Sequence, residues 1–334
     1  MVGESEAEPN GFDLNPPDFV IAGAPRCGTT SLYSYLQQQP GIRMSRKKEP
    51  AHFHFAYPRP DFERLAQIHG NKHLGESITH YERTMRNAVL DPILYDELWP
   101  DSSGLRGEAT PTYLFDSNAL EILRRESPQT KLILLLRNPV DRAYSQYLQY
   151  RRNGFEEYPT FEEALSHEPA DIDTFWWGKR RYLRLGLYAR PVENCLRLFG
   201  GNVAILFHEE MQNAPSALVA RVLSFLEVDP LSEVDTSDRH NTAFVPSDSS
   251  IVRLVQSGGV LRSLVSKFLP QGSRRRLYHY IMQHNARTPP PCELETRRRL
   301  RQFFEADIRQ LERLVNRDLS LWTEEDESGN KEAG

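Results

Sequence analysis

One short segment constrains the fold of this chain more than any other: Gly23-Ala-Pro-Arg-Cys-Gly28-Thr-Thr30, which follows the apolar run Phe19-Val-Ile-Ala and opens a helical pattern. Its spacing is that of the phosphate-binding loop G-x-x-x-x-G-K-[ST], with Thr29 at the lysine position. The glycines permit the tight turn, the N–H groups at the helix start attract an anion, and Thr29 and Thr30 add hydroxyl donors. Arg26 restores a positive charge inside the loop. Glycine-containing strand–helix turns are common, so the loop alone does not separate a phosphate site from an ordinary turn.

Short apolar runs bounded by turn residues recur at Phe19–Gly23, Ile42–Met44, Leu105–Glu108, Leu132–Leu136 and Val203–Phe207, five expected strands. Helical patterns alternate with them at Thr30–Gln38, Pro60–Ile68, Pro139–Arg152 and Tyr182–Leu198. That alternation implies βαβ units and a central parallel sheet flanked by helices, an α/β fold. Leu132–Leu136 is apolar throughout, as a strand covered on both faces must be, and is expected mid-sheet. Further on, Ala214–Leu226 and the amphipathic stretch Glu293–Leu321 read as helices, the latter with Leu300, Phe303, Phe304, Ile308, Leu311, Leu314 and Val315 at helical spacing. A single domain over 17–322 is expected. Within it 237–291 reads as a loop-rich flap, and 1–16 and 323–334 read as disordered tails.

An NTPase of this loop type needs a carboxylate for Mg²⁺, an Asp closing a strand like Leu132–Leu136. Here Arg137 follows that strand. A cation in place of a metal-binding acid points to phosphate neutralised directly, with no metal expected. Arg137-Asn-Pro-Val-Asp-Arg142 also supplies an N-cap, Asn138, and a proline at the first helical position, which sets Arg137 at the C-terminal edge of the sheet, where α/β proteins bind ligands. Ser145 lies two turns into that helix. Arg137 and Arg142 also have the ordinary reading of salt-bridge partners near a helix start.

The net charge of −5 argues against a nucleic-acid binder, which needs a basic face to displace counterions. Three widely spaced cysteines, Cys27, Cys195 and Cys292, fit reduced thiols and a cytoplasmic protein better than a disulfide framework. No stretch approaches the roughly 20 apolar residues of a membrane helix, and the acidic start does not read as a signal peptide, so no membrane association is expected.

Taken together, APRCGTTSL (24 to 32), KEP (48 to 50), GEATPTYL (107 to 114), LLRNPVDRAYSQY (135 to 147) and LGLYARPVENCLRLF (185 to 199) resemble the sulfotransferases that use 3′-phosphoadenosine 5′-phosphosulfate (PAPS), above all the branch of heparan-sulfate-type and bacterial enzymes. The resemblance implies a P-loop-related sulfotransferase fold, PAPS as co-substrate and 3′-phosphoadenosine 5′-phosphate (PAP) as product. It gives the 5′-phosphosulfate to the loop residues Arg26, Cys27, Gly28, Thr29, Thr30 and Ser31, and the 3′-phosphate to Arg137 and Ser145. Arg239 and Asn241 fall, beside His240, where relatives carry a nucleotide-covering loop. Relatives often have lysine at the position of Arg26; arginine keeps the charge but hardly releases a proton. The family's general base corresponds to Glu49, with Lys48 beside it. Relatives frequently place histidine two residues after that Glu, where this chain has Ala51, with His52 one later.

Sulfuryl groups carry less charge than phosphoryl groups, so arginine, hydroxyls and a helix N-terminus suffice where kinases need Mg²⁺. The expected catalytic set is Glu49, Arg26, Lys48 and His52. Glu108 and Thr110 are expected near the acceptor, and Trp176 and Trp177 as an apolar or sugar-stacking wall. The expected acceptor is a hydroxyl, less readily an amine, of a carbohydrate, glycoside or small metabolite, as in bacterial secondary metabolism. A P-loop kinase or NTPase is the alternative, disfavoured by Thr29 and Arg137. A non-catalytic nucleotide-binding protein of the same fold is another, disfavoured by the KE pair.

Overall fold

A computed structural model describes residues 16–55, 87–100, 103–153, 155–168, 180–230, 234–236, 245–246 and 286–324. Its centre is a five-stranded parallel sheet of β1 (Phe19–Gly23), β2 (Ile42–Met44), β3 (Leu105–Ala109), β4 (Lys131–Leu136) and β5 (Val203–Phe207), in the order β2-β3-β1-β4-β5. All five match the expected strands to within one residue. The middle place belongs to β1, whose five residues are all buried, while β4 sits beside it, interior but next to the edge strand β5. The helices are α1 (Thr29–Leu36), α2 (Pro92–Asp96), α3 (Ser117–Glu126), α4 (Pro139–Arg152), α5 (Phe161–Ser166), α6 (Ala189–Phe199), α7 (His208–Asn213), α8 (Pro215–Leu226) and α9 (Leu294–Val315). A two-stranded antiparallel pair joins Val245–Pro246 to Ala286–Arg287.

Two expected helices are shorter than their periodicity suggests. In place of a helix from Tyr182, a 3₁₀ turn occupies Arg184–Gly186 and α6 starts only at Ala189. Gly186 packs so closely that a Cβ there would lie 2.7 Å from Phe304. The Asp307 carboxylate then accepts the amides of Tyr188 (2.7 Å) and Ala189 (3.2 Å), capping α6 from a neighbouring helix. At the other end α9 stops at Val315 because Asn316 adopts a left-handed conformation, φ 48°, and closes the helix. Buried Leu300, Phe304, Ile308 and Leu311 carry its packing, whereas Phe303 is 43% exposed. Among the described residues no helix is long and apolar enough to cross a membrane. Cys27, Cys195 and Cys292 are all buried and free.

Candidate active site

Parallel strands deliver their C-terminal ends, and the loops after them, to one edge of the sheet. The loop after β1 is shaped by close packing: a Cβ on Gly23 would lie 2.6 Å from Leu114, and Gly28 has φ 98°. A side chain at Gly28 would also press on His208 Nδ1 and Met211 Sδ, both 3.1 Å from the would-be Cβ. Gly28 is the N-cap of α1, and neither a side-chain cap nor an acidic residue occupies that first turn. The positive end of the helix thus faces the loop. Thr29 and Ser31 are buried and Thr30 half-buried.

The loop meets the segment after β4 directly. Arg26, at φ 70°, donates from Nε (3.2 Å) and Nη2 (3.0 Å) to Ser145 Oγ, and Arg137 Nη1 lies 3.4 Å from the Arg26 carbonyl. Asn138 accepts the amide of Val140 at 3.0 Å and caps α4, with Pro139 next. Burial, then the guanidiniums of Arg152, Arg137 and Arg142, bring Arg26 down to about 10. Three guanidiniums that act on the Arg26 cation leave local positive charge that an anion would relieve. Among the described residues Arg142 forms no salt bridge: fully buried, it donates from Nη2 to the Tyr182 carbonyl at 2.7 Å.

Cys27 enters the site as backbone only. Its thiol faces the Tyr188 hydroxyl at 3.6 Å, burial pushes that thiol up to about 11, and its carbonyl accepts from His208 Nδ1 at 3.0 Å. His208, the first residue after β5, escapes the motif reading. Its position at the C-terminal end of a parallel strand was the available signal. Burial and then Arg137 lower it to about 4, so it is a neutral ring beside the arginines.

Across the sheet, Glu49 follows β2. Its φ is 59°, its amide donates to Ala109 O (2.9 Å), and its carboxylate, 56% exposed, pairs with Lys48 Nζ at 2.6 Å. Three expectations change here. His52 is turned away from this work: Nδ1 donates to Val89 O at 2.7 Å and the ring stacks on Tyr95 with centroids 4.2 Å apart. Glu108 and Thr110 are interior, 0% and 1% exposed, because both faces of β3 are covered at this end. Glu108 takes the Tyr95 hydroxyl at 2.8 Å and is raised by burial to about 7, while Thr110 Oγ1 accepts the Ala51 amide at 3.3 Å. Arg239, Asn241, Trp176 and Trp177 lie outside the described residues, as do the expected helix Pro60–Ile68 and most of the flap and tails.

With this geometry in place, the comparisons agree. The sulfotransferase domain model matches residues 16–287. Mouse heparan sulfate glucosamine 3-O-sulfotransferase 6 is 28% identical over 212 residues, 63% of this chain and 52% of that protein. The human protein of that name is 27% identical over 279 residues, 81% of this chain and 70% of its own length. The chain thus spans about half the length of the mouse relative. The crystal structure of a sulfotransferase from Alicyclobacillus acidocaldarius superposes with a TM-score of 0.62 at 27% identity, covering 92% of this chain and 99% of that one. By family model, relatives and fold, this chain belongs to the sulfotransferase domain family.

Proposed function

We propose that this chain moves a sulfuryl group from PAPS to a hydroxyl of a carbohydrate, glycoside or small metabolite, with Glu49 as general base. The observation that carries the reading is the Arg26–Ser145 contact. Residues 119 apart in sequence join the loop after β1 to the helix after β4 at the ligand edge of the sheet. A PAP moiety fits that arrangement: its 5′ end against the first turn of α1 and the Gly28 cradle, its 3′-phosphate against Arg137 and Ser145. Arg26 reaches toward both ends and stabilises negative charge between them.

The Lys48 ammonium holds Glu49 Oε1, which leaves the second oxygen for the acceptor hydroxyl. As that hydroxyl attacks sulfur, the S–O bond to the 5′-phosphate breaks, the proton passes to Glu49, and PAP leaves with the charge that Arg26 and Lys48 face. The polysaccharide named for the mouse and human relatives supports a glycan among the candidate acceptors. The three free cysteines support the cytoplasmic placement as part of the same proposal.

The test is transfer of radiolabelled sulfate from PAPS across a panel of acceptor classes. Glu49→Gln is expected to bind PAP as the wild type does and to lose roughly 10²–10⁴-fold in turnover, the usual worth of a general base. His52→Gln, whose ring is engaged elsewhere, is expected to retain most of its turnover. Near-normal turnover by Glu49→Gln together with loss in His52→Gln would reject the assignment.

A further inference from the structure

A second polar line lies beside the Glu49 loop. The imidazole of His54 is fully enclosed, its side chain 0% exposed. Its Nδ1 donates to Asp116 Oδ2 at 2.7 Å, and its Nε2 lies 2.8 Å from Thr112 Oγ1. Asp116 is itself fixed, because its other oxygen accepts the Ala119 amide at 3.1 Å and caps α3. Thr112 belongs to the 3₁₀ turn Pro111–Phe115, in which Pro111, Tyr113, Leu114 and Phe115 are buried and Thr112 alone is half-buried. Among the described residues, the buried histidine is thus linked through the Thr112 hydroxyl to the half-buried residue of this turn.

The two segments run side by side. Glu49 bonds to Ala109, Ala51 to Thr110, and Phe53 N to the Tyr113 hydroxyl at 3.2 Å. Among the described residues, charges that act on His54 include Asp116, in contact, and Glu49. Burial outweighs both and keeps the ring on the neutral side. A neutral ring whose Nδ1 proton is committed to Asp116 has only a lone pair at Nε2, so the Thr112 hydroxyl must donate to it. Among the described residues Thr112 Oγ1 has no other hydrogen-bond partner, and its remaining lone pairs can only accept.

We infer that Thr112 is an acceptor-binding residue whose oxygen takes a hydrogen-bond donor of the substrate, a hydroxyl or amide N–H next to the reacting group. His54 and Asp116 are positioning residues that hold it in that state. The inference rests on the transferase reading and adds to it: the acceptor presents a second donor beside the hydroxyl that attacks.

The probes are p-nitrophenyl β-glucoside and heparan sulfate oligosaccharides with labelled PAPS, using the full chain. For the probe that the wild type sulfates, Thr112→Val is expected to raise the acceptor KM about tenfold, the worth of one hydrogen bond, with PAP affinity as in the wild type. Thr112→Ser, which restores the hydroxyl, is expected to recover the wild-type KM. Because Thr112 is not in the core, PAP binding by both variants also reports that they fold. An unchanged KM in Thr112→Val, or a KM that Thr112→Ser fails to recover, overturns the inference while transfer itself stands. A wild type that binds PAP but labels neither probe nor any other hydroxyl compound overturns the transferase reading and this inference with it.

Discussion

The two halves of the site are built differently. On the proposed donor side, half-buried groups converge from the segments after three strands: Arg26 bonds Ser145, Arg137 lies against the Arg26 carbonyl, and His208 bonds the Cys27 carbonyl. On the acceptor side, Glu49 stands on a loop with two residues in the left-handed region, Glu49 at 59° and Ala51 at 53°, and its carboxylate faces solvent. Anion binding needs converging, fixed donors, and these come from strand ends and a helix start. Acceptor choice is varied by loops on the same sheet.

Acid acts in opposite senses on two groups, half-buried His208 beside the Arg26 loop and buried Glu108 inside β3. His208 has its folded value near 4, below the ordinary 6.5, so its contribution to stability is complete above pH 6.5 and is lost as pH falls toward 4. Glu108, raised from 4.5 to about 7, behaves oppositely: its contribution is complete below pH 4.5 and is lost as pH rises through 7. Each is worth on the order of 3 kcal/mol across its window. The two slopes oppose each other in the wild type. Urea denaturation from pH 4 to 7 is expected to show, relative to the wild type, a slope shifted toward falling stability with rising pH in His208→Gln and toward rising stability in Glu108→Gln. Slopes displaced in the same direction from the wild type in both variants would erase the distinction.

Effects on nucleotide binding are smaller. Arg137→Met removes the charged donor proposed for the 3′-phosphate and is expected to weaken PAP by about 10- to 100-fold in calorimetry. Ser145→Ala removes one neutral hydrogen bond and is expected to cost about tenfold or less. Neither change reaches the acceptor loop, so acceptor KM is expected to hold in both. A rise in acceptor KM would mean that the halves are coupled.

The same division explains what could be read before the structure. All five strands and the start of α4 were legible, since apolar runs and an Asn-Pro cap are local signals. The Arg26–Ser145 contact was not legible, since the motifs assign the two residues to different phosphates. His52 was read as catalytic because spacing along the loop does not reveal that Val89 and Tyr95 engage its ring. Glu108 and Thr110 looked available because a short strand does not show that it is covered on both faces. His54 is paired with a residue 62 positions away. These contacts are set by tertiary placement of turns, which no period in the sequence encodes.

The central claim is that this edge of the sheet holds a 3′-phosphorylated nucleotide through arginine, hydroxyl and helix dipole, without a divalent cation. Calorimetric titration in EDTA with PAP, adenosine 5′-phosphate and ATP tests it most directly. PAP is expected to bind at least about tenfold more tightly than adenosine 5′-phosphate, the difference vanishing in Arg137→Met, and added Mg²⁺ is expected to change nothing. Equal affinity for the two nucleotides, or tight binding only of ATP with Mg²⁺, would contradict the account.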